Sequence, residues 1–353
     1  MQVEKFTMEQ FTAIGQSVIF DFSPGINVLI GANSTGKSHV MKALYTLLKA
    51  SEEAQLKQDT PERLQMRMQE KLQGVFKPDT LGRLVRRAPG RGAARLKVIY
   101  NGQALALELT TLGNVKLEYE TLIAPEPIIY LPVREFLTLY EGFIALYEKR
   151  ELAFDETYYD LSLALNAAPL RGRRAEEVNT LVKPLEAAIY GRVERKNDRF
   201  YLDLPEGSLE SQLVAEGYRK IGTLMQLIIN GSLSQRGILF WDEPASNLNP
   251  NLVTVIVKVL RAMAQAGMQI FVATHDYLLS QELSLAAEYN PDAAIKFFAL
   301  HRPEPGQGTA IEVGNTLVDI ENDPILAEFA AHYDREQELF LSSRVSASAG
   351  SER

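Results

Sequence analysis

The stretch that decides the fold is Gly31-Ala32-Asn33-Ser34-Thr35-Gly36-Lys37-Ser38. Its spacing fits G-x-x-x-x-G-K-[ST], in which glycines let the backbone wrap closely around phosphate groups. Successive N–H groups then point at the anion, and the positive end of the following helix adds to the attraction. We therefore predict that Lys37 reaches the β- and γ-phosphates of a nucleotide and that the Ser38 hydroxyl binds Mg²⁺.

The flanks of this loop support the interpretation. Residues 26–30 are an apolar run that predicts a buried strand, and residues 37 to about 50 predict an amphipathic helix. A glycine-rich turn with a coincidental lysine does not explain this order of strand, loop and helix. The predicted nucleotide-binding residues of the loop are Gly31, Asn33, Ser34, Thr35, Gly36, Lys37 and Ser38.

A second segment with candidate functional residues is ILFWDE at residues 238–243, an apolar strand that ends in two carboxylates. Asp242 is predicted to hold Mg²⁺, through water, because this cation keeps much of its hydration. Glu243 is the next residue, so its side chain projects in a different direction from that of Asp242. It is placed to polarise a water molecule for in-line attack on the γ-phosphate. A strand capped by two solvated acids is the alternative, and the phosphate loop argues against it.

The segments that follow carry a family resemblance. Asp242-Glu243-Pro244 with residues 246–250 (SNLNP) resembles the Walker B motif and D-loop of ABC-type ATPases, and Thr274-His275-Asp276 resembles their switch histidine. In that family this histidine contacts the γ-phosphate and helps to position the attacking water. The resemblance implies ATP and Mg²⁺ as cofactors and Glu243 and His275 as catalytic residues. A histidine that caps a strand end is the alternative for His275.

The resemblance also implies a fold. It covers about residues 1–50 and 205–302, and the asparagine at position 33 is typical of the SMC, RecF and OLD branches. We expect an α/β ABC-type P-loop NTPase with a mixed central sheet, an antiparallel β lobe and a compact helical insertion. The expected divisions are lobe I at 1–133 with a basic insertion at about 51–97, the helical insertion and a hairpin at 134–204, lobe II at 205–342, and a disordered tail at 343–353.

Two segments depart from the family. The signature, usually Leu-Ser-Gly-Gly-Gln, is replaced around Gly217, with Glu216 where the phosphate-contacting serine is expected. Gly217 is predicted to contact nucleotide, and Arg219 to supply compensating positive charge, although a solvated basic helix turn is the alternative. The Q-loop position holds no glutamine. Arg134 is a candidate for part of its role, and a salt bridge at a strand end is the alternative.

Composition excludes several classes of function. The chain has 353 residues, a net charge of −8, no cysteine and four scattered histidines. The lack of cysteine excludes disulfides and a thiolate metal site. The net negative charge is not typical of a nucleic-acid-binding protein. No signal peptide is expected and apolar runs are too short to span a membrane, so we expect a cytoplasmic protein. The acidic residues Asp319, Glu321 and Asp323 are predicted to be a solvated turn and not a nuclease site. No TOPRIM domain or long coiled coil is expected.

Several functions remain open at this level. The first is an ATPase that forms a head-to-tail, ATP-dependent homodimer, or a higher oligomer, and gates a separate effector protein. The resemblance implies that such chains are frequent in prokaryotic antiphage defence. The second is a RecF-like repair ATPase that binds DNA through residues 83–97, where six basic residues occur without an acid. The third is a scaffold that binds ATP without turning it over. A transporter subunit is the weakest candidate because the signature and Q-loop are unusual.

Overall fold

A computed structural model describes residues 2–87, 92–119, 121–123, 125–233, 236–290, 292–304 and 307–350, without the side chains of 341–350. The strands are β1 Val3–Glu9, β2 Val18–Asp21, β3 Ile26–Gly31, β4 Ala93–Tyr100, β5 Gln103–Thr110, β6 Val115–Tyr119, β7 Ile128–Leu131, β8 Arg192–Lys196, β9 Arg199–Leu204, β10 Gly207–Glu210, β11 Ile238–Asp242, β12 Gln269–Thr274, β13 Ile295–His301 and β14 Ala310–Gly314. The helices are α1 Lys37–Lys57, α2 Pro61–Phe76, α3 Phe143–Glu148, α4 Glu156–Leu165, α5 Arg173–Ile189, α6 Glu216–Ile229, α7 Pro250–Gln265, α8 Tyr277–Tyr289 and α9 Pro324–Gly350.

A six-stranded mixed sheet forms the centre, in the order β14-β13-β3-β12-β11-β7. Its strands pair in parallel except for β14, which is antiparallel to β13. β3 is buried throughout, and its side chains alternate between two hydrophobic clusters, with Val28 in one and Leu29 in the other. The continuous apolar run of β3 is thus explained by burial on both faces. The parallel arrangement places the carboxyl ends of β3, β11 and β12 at one edge of the sheet. The phosphate loop and the segments that carry Glu243 and His275 begin there.

A five-stranded antiparallel sheet, β2-β1-β4-β5-β6, forms the predicted β lobe. The hairpin of β4 and β5 turns at Asn101-Gly102, as the sequence predicts. The segment before it differs from expectation. Residues 93–97 were expected to belong to the basic insertion, yet they are the first half of β4, because Ala94 and Leu96 are buried while the basic side chains of Arg95 and Lys97 face out.

The predicted helical insertion consists of α3, α4 and α5, followed by the small antiparallel sheet β10-β9-β8. The hairpin of β8 and β9 turns at Asn197 and Asp198, both in the left-handed region with φ of 48° and 63°. The helices of the insertion are compact, with 6, 10 and 17 residues. The division of the chain at residues 133 and 204 stays a prediction.

Two helices are longer than the sequence suggests. α1 continues past the predicted end near residue 50 to Lys57, because Ala54 is fully buried and the intervening residues are good helix formers. α9 extends to Gly350, so it covers most of the predicted disordered tail, and residues 351–353 lie outside the described residues. The serine and alanine residues there extend a helix at little cost once it is nucleated. Among the residues described, no helix is long and apolar enough to cross a bilayer.

Candidate functional site

The phosphate loop connects β3 directly to α1. Gly31 has a φ of 145°, and a Cβ there would lie 2.3 Å from the carbonyl oxygen of Leu300 on the neighbouring strand. Gly36, with a φ of 101°, precedes α1, and a Cβ there would lie 3.0 Å from Ala13. Both glycines are therefore required by backbone conformation and by the close approach of other chain segments.

Lys37 is buried beneath this loop. Its ammonium donates to the carbonyl oxygens of Gly31 at 2.7 Å and Ala32 at 3.1 Å. Burial lowers the pKa of Lys37, and the negative charges of Glu243 and Asp242 oppose that shift. A buried ammonium whose present partners are neutral carbonyls has unused capacity for a charged oxygen ligand.

The end of β11 meets the start of α1. Ser38 Oγ donates to Asp242 Oδ1 at 3.1 Å, and the phenol of Tyr130 on β7 donates to Asp242 Oδ2 at 3.2 Å. Asp242 is only 3% exposed, and burial raises the pKa of its carboxyl while the Ser38 hydrogen bond opposes the rise. The hydroxyl and the carboxylate are both oxygen ligands of the kind Mg²⁺ prefers, so this pair fits the predicted metal site.

Glu243 and His275 are in direct contact. Glu243 Oε1 lies 2.6 Å from His275 Nδ1, and Oε2 accepts from Thr274 Oγ1 and from the backbone N–H of His275, both at 3.3 Å. Glu243 has a φ of 51°, a left-handed conformation that turns its side chain away from the direction of Asp242. The predicted base and the predicted switch histidine therefore form one unit at the ends of β11 and β12.

These groups open on a cavity of about 670 Å³. Its wall includes Lys37, Ser38 and Glu243, and also residues that the sequence did not single out as nucleotide ligands: Thr12, Ala13, His39, Phe76, Arg83, Arg86 and Arg302. Arg302 also hydrogen-bonds the carbonyl of Ser34. The positive side chains match a polyanionic ligand.

The other predicted loop residues have distinct places. Asn33 and Ser34 line the cavity, and Ser34 adopts a left-handed φ of 65°. Thr35 is buried, and its hydroxyl donates a hydrogen bond to the carbonyl of Ala32 at 2.9 Å. The backbone carbonyl of Thr35 accepts a hydrogen bond from the Thr309 hydroxyl at 2.8 Å. Thr35 thus braces the loop from behind, against the chain that leads into β14.

Arg83, Arg86 and Arg95 of the basic stretch 83–97 each have a partner in the structure. Arg83 pairs with Asp79, and Arg95 pairs with Glu108. Arg86 donates to the carbonyl of Ala13 at 2.9 Å, and Arg91 lies outside the described residues. Because Arg83 and Arg86 also line the cavity, this end of the stretch belongs beside the phosphate loop, a placement that sequence reasoning missed.

The signature segment lies at the start of α6, outside the lining of the cavity. A Cβ at Gly217 would lie 2.9 Å from Leu248 and 3.2 Å from Leu252, so this glycine lets α6 pack closely on the D-loop. Glu216 accepts from the amide of Asn247 at 3.2 Å. Substitution of Gly217 therefore disturbs the single chain, whatever its role toward nucleotide.

The two basic residues after Gly217 are held internally. Arg219 donates to buried Glu135 at 2.8 Å and to the carbonyl of Val214. Lys220 is 5% exposed and donates to the carbonyl of Ser246 at 2.7 Å. Neither residue lies in a solvated turn, which was the alternative for Arg219. Arg219 as placed braces its own chain, and Lys220 ties α6 to the D-loop.

Arg134, the Q-loop candidate, is exposed and borders a small crevice together with Glu135 and Lys220. The salt bridge at this strand end is made by the neighbouring Glu135. No sequence pattern indicates the role of Glu135, because its partner Arg219 lies 84 residues away.

The late acidic residues act as caps. Asp319 Oδ2 accepts from the backbone N–H groups of Asn315 and Thr316, at 2.8 and 3.0 Å. Asp323 accepts from the N–H groups of Ile325 and Leu326 at the start of α9. Asp319 and Glu321 are exposed, as a solvated turn requires, but Asp323 is only 6% exposed, so the prediction of a solvated turn is wrong for Asp323.

Comparisons with known proteins agree with this geometry. The family described as "AAA domain, putative AbiEii toxin, Type IV TA system" matches residues 123–280. No curated protein matches the chain in sequence. The SMC head domain from Thermotoga maritima superposes with a TM-score of 0.51 and 16% identity, over 88% of this chain and 98% of that one. An SMC head bound to the C-winged helix domain of ScpA superposes with a TM-score of 0.55 and 12% identity, over 89% and 98%.

The mixed sheet, the phosphate loop and the carboxylates at the end of β11 define a P-loop NTPase of the ABC type. Within that class, the likeness to SMC heads extends over most of the chain at the level of the fold. The chain therefore has the fold of ABC-type ATPases and resembles the SMC/RecF-like group in fold and in the motifs of this site.

Proposed function

We propose that this chain binds ATP with Mg²⁺, hydrolyses it, and dimerises head to tail around two nucleotides to gate a separate effector. The observation that carries the proposal is that Lys37, Ser38 and Glu243 line one cavity, with Asp242 hydrogen-bonded to Ser38 and His275 in contact with Glu243. A triphosphate needs positive charge, a metal ligand set and a water-orienting base, and this cavity offers all three.

Binding rests on the positive lining. Lys37 exchanges its carbonyl partners for phosphate oxygens, while Arg83, Arg86 and Arg302 add charge at the cavity wall. Ser38 and Asp242 would hold Mg²⁺, which would neutralise the charge that develops on the phosphates. The hydrogen bond between them already sets the two oxygen ligands side by side.

Hydrolysis rests on Glu243. His275 and Thr274 hold its carboxylate at three points, which fixes the oxygen that would accept a proton from the attacking water. His275, about half exposed, is free to turn toward a γ-phosphate and in doing so releases Oε1 for the water.

Glu243→Gln tests the catalytic part. The amide oxygen can keep the bonds from Thr274 and the His275 backbone, and its NH₂ can donate to Nδ1 of the other histidine tautomer. We expect ATP affinity to be unchanged and phosphate release to fall by about 10²–10⁴-fold. Turnover of the variant at the wild-type rate would place the base elsewhere. Tight ATP binding without turnover by the wild type would favour the scaffold instead.

Dimerisation is supported by the placement of α6. Its N-terminus lies apart from the cavity of its own chain and begins at exposed Ala215, so the amides of its first turn are available to a nucleotide bound by a second copy. A two-fold symmetric, head-to-tail pair closes on itself and buries two nucleotides. Lys220 would transmit the contact, because it connects α6 to the carbonyl of Ser246 just after Glu243.

The effector role has two supports from outside the chain. The matching family is described with a toxin of a toxin–antitoxin system, and one similar SMC head is described in complex with part of another protein. We therefore favour a partner-gating role in prokaryotic defence. We favour this role over the RecF-like alternative, because Arg83 and Arg95 are paired with carboxylates and Arg86 lines the same cavity as the phosphate loop.

A further inference from the structure

Tyr130 carries a polar group that packing alone does not explain. It lies on β7, at the edge of the central sheet, directly beside Phe240 on β11. Its ring stacks on Phe240 at 6.0 Å and meets Tyr45 of α1 edge-on at 5.3 Å. Phe240 and Asp242 are two residues apart on β11, so their side chains lie on the same face of the sheet. The Tyr130 hydroxyl, beside Phe240 on that face, reaches Asp242. A phenylalanine would fill the same space.

The hydroxyl completes the surroundings of the Asp242 carboxylate. Ser38 donates to Oδ1 and Tyr130 to Oδ2, so each oxygen has a donor of its own. The carboxylate is almost fully buried, and an ionised carboxylate in such a place needs hydrogen bonds to remain charged and oriented. Ser38 cannot serve alone as an orienting partner, because its hydroxyl is itself a predicted metal ligand.

We propose that Tyr130 is a positioning residue for the magnesium site: its hydroxyl holds Oδ2 of the Asp242 carboxylate, so that Oδ1 stays directed at Ser38, the other residue that would hold the metal. This inference rests on the proposed function and adds a residue to it. Partners behind a metal ligand orient the ligand, and their loss costs about 10–100-fold in metal affinity. The Tyr130 ring can do this accurately because Phe240 and Tyr45 hold it from two sides.

The chain provides a matched control in Tyr45. This residue is also fully buried in the same aromatic cluster, and its hydroxyl also donates to a carboxylate, that of Asp160 at 2.6 Å. Tyr45→Phe and Tyr130→Phe therefore remove the same atom from the same environment. The two variants differ in one respect that matters, since only the Tyr130 hydroxyl contacts Asp242.

The experiment is a Mg²⁺ titration of fluorescent ATP binding to the full chain, with binding in excess EDTA as the baseline. For Tyr130→Phe we expect the Mg²⁺ concentration at half-effect to rise about 10–100-fold, with metal-free nucleotide affinity unchanged. For Tyr45→Phe we expect a change below about twofold, because no bond to a metal ligand is lost.

Equal Mg²⁺ dependence of Tyr130→Phe and wild type, or equal shifts in both variants, would overturn the inference and leave the ATP site intact. A wild type that binds no nucleotide at all would instead overturn the proposed function. A loss of metal-free affinity in Tyr130→Phe would show that the hydroxyl supports the fold of the cavity and not the metal ligand, which also contradicts the inference.

Discussion

Ala215→Asp separates the stability of α6 from its proposed contact with a second chain. Ala215 is the N-cap residue of α6, with an extended backbone (φ −58°, ψ 143°), an exposed side chain and no side-chain cap bond. Aspartate is a favoured N-cap, because its carboxylate accepts a bond from the first turn and suits the positive helix end. The substitution should therefore stabilise the single chain by about 0.5–2 kcal/mol.

The same carboxylate should oppose dimerisation around ATP. If it approaches a triphosphate charge of the partner to about 4 Å, the repulsion is about 4 kcal/mol at an effective dielectric constant of 20. That energy weakens association by roughly a thousandfold. Ala215→Asn is the matched control, because it gives a similar cap without the charge. It should keep most of the response to ATP.

Light scattering with and without ATP-Mg²⁺ measures the response, with each substitution placed in Glu243→Gln to prevent turnover. Denaturant unfolding measures stability alongside. We expect Glu243→Gln alone and with Ala215→Asn to dimerise or compact on adding ATP, and the aspartate variant to remain unresponsive while being more stable than its parent. Identical ATP responses of the aspartate and asparagine variants would refute the trans contact at α6.

Two further predictions concern other groups. Burial raises the pKa of the Glu156 carboxyl to about 6; Lys71 opposes this rise, and Asp160 and Glu53 add to it. The protonated carboxyl therefore contributes to stability below pH about 4.5, and that contribution is lost as the pH rises through 6. Glu156→Gln should therefore gain stability relative to wild type by about 2 kcal/mol between pH 4.5 and 7 in denaturant unfolding, and a pH-independent difference would contradict the argument. The purified chain should not cleave plasmid DNA with Mg²⁺ or Mn²⁺, since Asp319 and Asp323 serve as caps; cleavage that survives purification and disappears when both are replaced would show otherwise.

The phosphate loop and the end of β11 could be predicted because their chemistry lies in short, contiguous runs. The hydrogen bond between Ser38 and Asp242 spans 204 residues, yet both partners belong to motifs with fixed places at one edge of a parallel sheet. The order of strand, loop and helix therefore sufficed to bring them together. The compact insertion was predictable for a similar reason, since the turns at Asn197 and Gly172 interrupt any long helix.

The residues that sequence reasoning missed act through contacts without a motif. Tyr130 is an ordinary strand residue until its hydroxyl meets Asp242, 112 positions later. Arg86 was only a candidate for binding DNA, because the sequence does not show which way a charged side chain faces, and in the fold it is directed to Ala13 and the cavity. Arg219 was expected to contact nucleotide, but its pairing with buried Glu135 depends on how the end of β7 packs against α6.

Equilibrium binding of ATP-Mg²⁺ to wild type and Lys37→Ala tests the central claim most directly. Lys37 is the buried ammonium of the loop, held by the carbonyls of Gly31 and Ala32 within reach of the cavity. Alanine removes the charge that meets the phosphates and leaves the helix-forming backbone in place. We expect saturable binding by the wild type and loss of binding in a variant that remains folded. Equal affinity of the two proteins would contradict it.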